Sequence, residues 1–145
     1  MGTWDIGPFE NDTAADWANT LDDTAPGDRE RLIRGTLIRA ARNRDVLGYG
    51  DGVEAVAAAA LVASQCPGGE PVTTVFGPEE TLPTFAADLR LLAADALDRV
   101  LTEESDLAEL WDESVNGPRW RQSVGRVRAV LGPPPPPQAE ALFEM

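Results

Sequence analysis

The stretch DGVEAVAAAALVASQ, residues 51–65, sets the architecture. Val53, Val56, Ala57, Ala60, Leu61 and Ser64 recur at three- and four-residue spacing, the mark of one helical face. The unbroken alanines at 57–60 put small apolar groups on the other faces as well. Such a helix lets neighbours approach from several sides, so this segment is expected to be a central helix, third in order.

The flanking sequence supplies the neighbours. Asn11, Asp12 and Thr13 are all good N-cap residues for a first helix to about residue 21, with Ala14, Trp17, Ala18 and Leu21 on one face. Pro26 suits the start of a second helix, striped by Ile33, Leu37, Ala40 and Ala41 and otherwise wrapped in arginine. GYGDG, residues 48–52, reads as a glycine-broken turn between helices, and CPGGEP ends the third helix. VTTVF, residues 72–76, is β-branched but has no partner strand in the sequence, so it is expected as an extended connection.

Pro83 is expected to open the fourth and longest helix, running to about residue 103 with Phe85, Leu89, Leu92, Ala96 and Val100 in register. Ser105 caps a short fifth helix carrying Trp111, and Pro118 starts a sixth with Trp120, Val124, Val127 and Leu131. The two tryptophans are spaced to pack across the Asn116–Gly117 turn. Gly132 stops this helix, and five prolines follow; a polyproline arm is expected there, holding QAEALFEM away as a free end. The alternative is that Leu142 and Phe143 enter a groove. The fold class is therefore all-α: one compact bundle of five to six helices over residues 1–132, with a proline-rich tail over 133–145.

The first 17 residues, MGTWDIGPFENDTAADW, are crowded with anchors. Trp4, Ile6 and Phe9 are too apolar to leave solvated, since each contributes about 1.5–3 kcal/mol on burial. Gly7 and Pro8 bend the chain between them. The reading is an N-terminal aromatic clasp folded onto the bundle. The functional alternative groups Asp5, Glu10, Asp12 and Asp16 around an indole to hold a cation or a substrate. The candidate site is thus Trp4, Phe9, Glu10, Asn11, Asp12, Asp16 and Trp17. These acids lack the alternating spacing of an oxygen-ligand loop, and no metal ligand or catalytic group is assigned.

Composition narrows the function classes. Of 145 residues, 43% are hydrophobic and 26% charged, which suits a single globular domain. Twenty-five acids against 12 basic residues, all arginine, give a net charge of −13, which disfavours nucleic acid and favours a basic partner. With no histidine, the commonest general base and zinc ligand is missing. The single cysteine, Cys66, forms no internal disulfide and suits a reducing cytoplasm. No signal peptide is read, and the apolar segment 53–63 is shorter than the roughly 20 residues that cross a bilayer. GYGDG lacks the lysine of a phosphate loop, and Ser64 and Cys66 have no base nearby.

The pattern M-G-x-W-x-x-G-x-F-x-N-D-x-A-x-D-W, carried by Met1, Gly2, Trp4, Gly7, Phe9, Asn11, Asp12, Ala14, Asp16 and Trp17, resembles the bacterial domain-of-unknown-function family 4259. AVAAAALVA and LWDES…WRQSVGRVRAVL are similar to it too, so the likeness spans residues 1–131. Asp5 departs from the pattern, where a small residue is expected. The resemblance implies a small, mostly helical cytoplasmic bacterial domain and leaves activity open. The expected function is a non-catalytic, cofactor-free interaction domain that binds or neutralises a basic protein. The alternative is a carboxylate-based enzyme or metal-binding domain using the N-terminal acids.

Overall fold

The computed structural model describes residues 6–72, 77–78, 80 and 82–132. Among these, six α-helices follow one another: α1 (Asp12–Asp23), α2 (Arg29–Ala41), α3 (Tyr49–Ser64), α4 (Asp88–Val100), α5 (Asp106–Asp112) and α6 (Gly117–Leu131). A 3₁₀ turn at Pro26–Asp28 leads into α2. No strand occurs among the described residues; the fold is all-α, as the periodicity predicts. Most of the 72–76 segment, the proline tail, Trp4 and Asp5 lie outside the described residues.

Helix α3 packs against each of the other five. Every residue from Ala55 to Ala63 is buried, so apolar groups on all sides meet protein rather than water. Its methyl-sized side chains keep interhelical distances short, which suits close ridge-into-groove packing. Around it stand Leu21 of α1, Ile33 and Leu37 of α2, Leu89 and Leu97 of α4, and Leu131 of α6, all fully buried.

Two boundaries differ from the sequence reading. YGDG, residues 49–52, is helix rather than turn, with Gly48 as its N-cap: α3 starts at Tyr49 and, at 16 residues, is the longest described element. A Cβ on Gly52 would lie 3.3 Å from that of Leu107, so this glycine lets α5 come close. That packing outweighs a helix-propensity cost of about 1 kcal/mol per glycine. Helix α4 begins at Asp88 and spans 13 residues, instead of opening at Pro83. The Phe85 amide donates to the Gln65 side chain (3.0 Å) and that of Ala86 to Glu30 (2.8 Å), while Gln65 also donates to the Pro83 carbonyl. Side chains of α2 and of the residue after α3 thus take the first turn's polar groups and hold it extended.

Arginines tie helix ends together. Arg29, buried at the start of α2, donates to the Leu21 and Asp22 carbonyls at the end of α1. Arg90 of α4 does the same for Val130 and Leu131 at the end of α6. Arg99 binds the Asn43 and Asp45 carbonyls after α2. Arg29 and Arg90 place their cations where a helix dipole is negative, and Arg99 ties the loop after α2 to α4. Leu47 also pairs with the segment before α5, its N–H donating to Glu104 and its carbonyl accepting from Asp106.

Candidate functional site

The described part of the N-terminal segment starts with a turn, the Glu10 amide donating to the Gly7 carbonyl at 3.1 Å. Phe9 is driven into the core, 2% exposed. The Glu10 side chain folds back over Gly7, its carboxylate occupying the space a Cβ there would need. Asn11 then caps α1, its Oδ1 accepting from the Ala14 amide at 2.8 Å.

Behind Ile6, Gly7 and Pro8 stand Trp111 and Trp120, stacked at 5.9 Å and 7° as their spacing predicts. A space of about 10 Å³ remains between them, the size of a single water.

The other side of this segment forms one wall of a groove of about 570 Å³. Its floor is Ala60 and Ala63 of α3. A second wall is α6, through Ser123, Arg126, Val127, Ala129 and Val130. The third is the loop after α3, from Gly68 to Val72. That loop comes back along α3 because Gly68 takes the left-handed conformation (φ 84°), and because Gly69 lies so close to the Ala63 carbonyl that no Cβ would fit. Small side chains below and valines beside them make the groove largely apolar. Its charges are segregated: Glu10 and Glu70 on two walls, Arg126 on the α6 wall.

The structure disperses most of the sequence-predicted site. Phe9 and Glu10 reach the groove, and Asn11 is a cap. Asp12 and Asp16 are exposed on α1. Trp17 is core, its indole N–H donating to the Thr36 hydroxyl at 3.1 Å. Trp4 lies outside the described residues, and with it the full aromatic clasp. Among the described residues, no three acids or thiols come together to hold a metal ion. The groove itself is a feature that helical periodicity does not show, because it is assembled from three segments distant in sequence: the N-terminal segment, α3 with the loop after it, and α6. Val127 and Val130, only half-buried on α6, are the trace it leaves.

The acidic surface is partly neutralised. Asp88 receives two hydrogen bonds from Arg34, Asp112 two from Arg121 and Asp98 two from Arg128. The Arg34 and Arg121 guanidinium groups hold the Asp88 and Asp112 carboxyls below the usual carboxylate range. Burial pushes the Glu54 carboxyl up, against the pull of Arg39.

Residues 2–123 match the family model described as domain of unknown function (DUF4259). The chain belongs to this family. No curated protein and no solved structure matches it. The match to DUF4259 includes the N-terminal wall, the floor and the loop wall of the groove, and stops within α6 at Ser123. The α6 wall beyond that point, including Arg126 and Val127, therefore lies outside the DUF4259 match.

Proposed function

We propose that this protein is a non-catalytic interaction domain of the cytoplasm that binds a basic partner protein by taking an apolar segment of it into the groove between the N-terminal segment, α3 and α6. The groove carries this reading: about 570 Å³ lined mainly by alanine, valine and proline, within the size range of specific binding pockets. Glu10 and Glu70 on its walls offer carboxylates to cations flanking such a segment. The net charge of −13 would draw a basic partner from a distance, accelerating encounter more than it tightens the complex.

A photo-crosslinking residue at Val127 tests this in cells, with Val115, 94% exposed on the α5–α6 turn, as the control position. The expected result is one discrete protein adduct from position 127 that is absent from position 115 and weakens as salt rises. Identical adduct patterns from the two positions would contradict the reading.

A further inference from the structure

Three serine and threonine hydroxyls are buried among the described residues, those of Thr36, Ser105 and Ser123. Thr36 donates to the Leu32 carbonyl, and Ser105 accepts from the Ala108 amide. Ser123, 8% exposed on α6, has no hydrogen-bond partner for its hydroxyl among the described residues, and it lines the groove. A buried hydroxyl left unpaired is destabilising, so whatever displaces water from this wall must bring it a polar group.

Arg126 stands three residues further along α6, the spacing that puts two side chains next to each other on one helix face. Its neighbours Arg121 and Arg128 are engaged by Asp112 and Asp98, whereas Arg126 has no hydrogen-bond or ion-pair partner among the described residues. A hydroxyl and a guanidinium side by side can both donate, and a carboxylate, with two acceptor oxygens, suits such a pair. On the other two walls, beyond the apolar floor of Ala60 and Ala63, Glu10 and Glu70 present carboxylates of their own. With two acids and one cation, the lining complements a ligand that carries one carboxylate and a surplus of positive charge.

The C-terminus of a basic protein has that constitution. Its main-chain carboxylate is there whatever the side chains, even where acidic residues are scarce. The last side chain springs from the same carbon as that carboxylate, so an apolar one reaches the floor while the carboxylate meets α6. Cations on the preceding residues then run toward the glutamates. Capture of a terminal carboxylate is one of the recurring modes of peptide recognition.

We propose that the groove receives the C-terminus of a basic partner protein. The terminal carboxylate lies on Ser123 and Arg126, the last, apolar side chain over Ala60, Ala63 and Val127, and the preceding arginines or lysines beside Glu10 and Glu70. This rests on the groove being a protein-binding surface, and it names the part of the partner that enters it.

Fluorescence anisotropy with the full-length protein tests the proposal. The probes are short labelled peptides with two arginines ahead of an apolar end of leucine, valine or phenylalanine, each made with a free terminal carboxylate and as the terminal amide. The expected result is at least tenfold tighter binding of the carboxylate form for one or more of the three. Arg126→Gln should abolish that preference, and Ser123→Ala should reduce it at least threefold, while the amide form binds both variants as it binds wild type. Arg126 is exposed, so its replacement leaves the core intact should Ser123→Ala fail to fold. Exchanging the peptide's arginines for glutamates should weaken binding at least tenfold, and Glu10→Gln with Glu70→Gln should relieve most of that loss. Equal binding of carboxylate and amide, a preference that survives Arg126→Gln, or no binding of any peptide at millimolar concentration would overturn the proposal. So would an amidated peptide with an internal glutamate that binds as tightly as the free-terminus form. Failure here and failure of the groove are distinguishable. If the carboxylate preference is absent while the crosslinker at Val127 still captures a partner, only the terminal reading is lost; if that capture is absent too, the groove reading falls with it.

Discussion

Trp17 shows how one side chain can be claimed by core or by site. Its indole is 5% exposed, and its N–H meets the Thr36 hydroxyl, which itself donates to the Leu32 carbonyl at 2.9 Å. The ring therefore links α1 to α2 and has no polar edge left for a ligand. Trp17→Phe removes the N–H and some ring volume, and is expected to cost about 1–2 kcal/mol in a urea-unfolding experiment. At the surface, Asp112 and Arg121 give a pH signature. The carboxyl is held below its unfolded value, so its contribution exists above about pH 4 and is lost as pH falls through the lower folded value. The melting temperature of Asp112→Asn is expected to lie slightly below wild type at pH 6, the difference shrinking as pH falls below about 4.

Helices are legible in the sequence where periodicity and caps agree, and misplaced where a distant side chain decides. Asn11 and Ser105 cap α1 and α5 as their residue types suggest, each accepting from the amide three residues on. The start of α4 is not written in its local sequence, because Gln65 and Glu30 hold residues 83–86 extended from outside. GYGDG misleads in the opposite direction: its glycines signal a turn locally, but residues 49–52 are helix, and there Gly52 gives Leu107 room to approach. Periodicity presents the arginines of α2 as wrapping the helix off its apolar stripe, whereas Arg29 is buried as the C-terminal clasp of α1. Arg29→Leu should leave the Leu21 and Asp22 carbonyls without this donor and cost about 2–3 kcal/mol in thermal or chemical unfolding. Arg29→Lys should recover less than half of that loss, since an ammonium cannot reproduce the two-pronged guanidinium geometry.

Five helices close around α3 but leave an opening where α6, the loop after α3 and the N-terminal segment meet. Its rim at Phe9 and Glu10 is legible in the sequence, because the anchors crowded into the N-terminal stretch mark that segment out. The opposite wall is not, since nothing local relates residue 10 to residue 126. Asp12 and Asp16, close to Glu10 in the chain, point elsewhere because α1 turns them into solvent. If this opening is where another protein binds, filling it must abolish binding without unfolding the bundle. Val127→Trp does so, since the added ring occupies the groove while the core behind it is untouched. The expected result is at least a tenfold loss of partner captured from a native cell lysate, with helical content and melting temperature at wild-type values. Undiminished capture by a folded Val127→Trp protein would contradict binding at this opening.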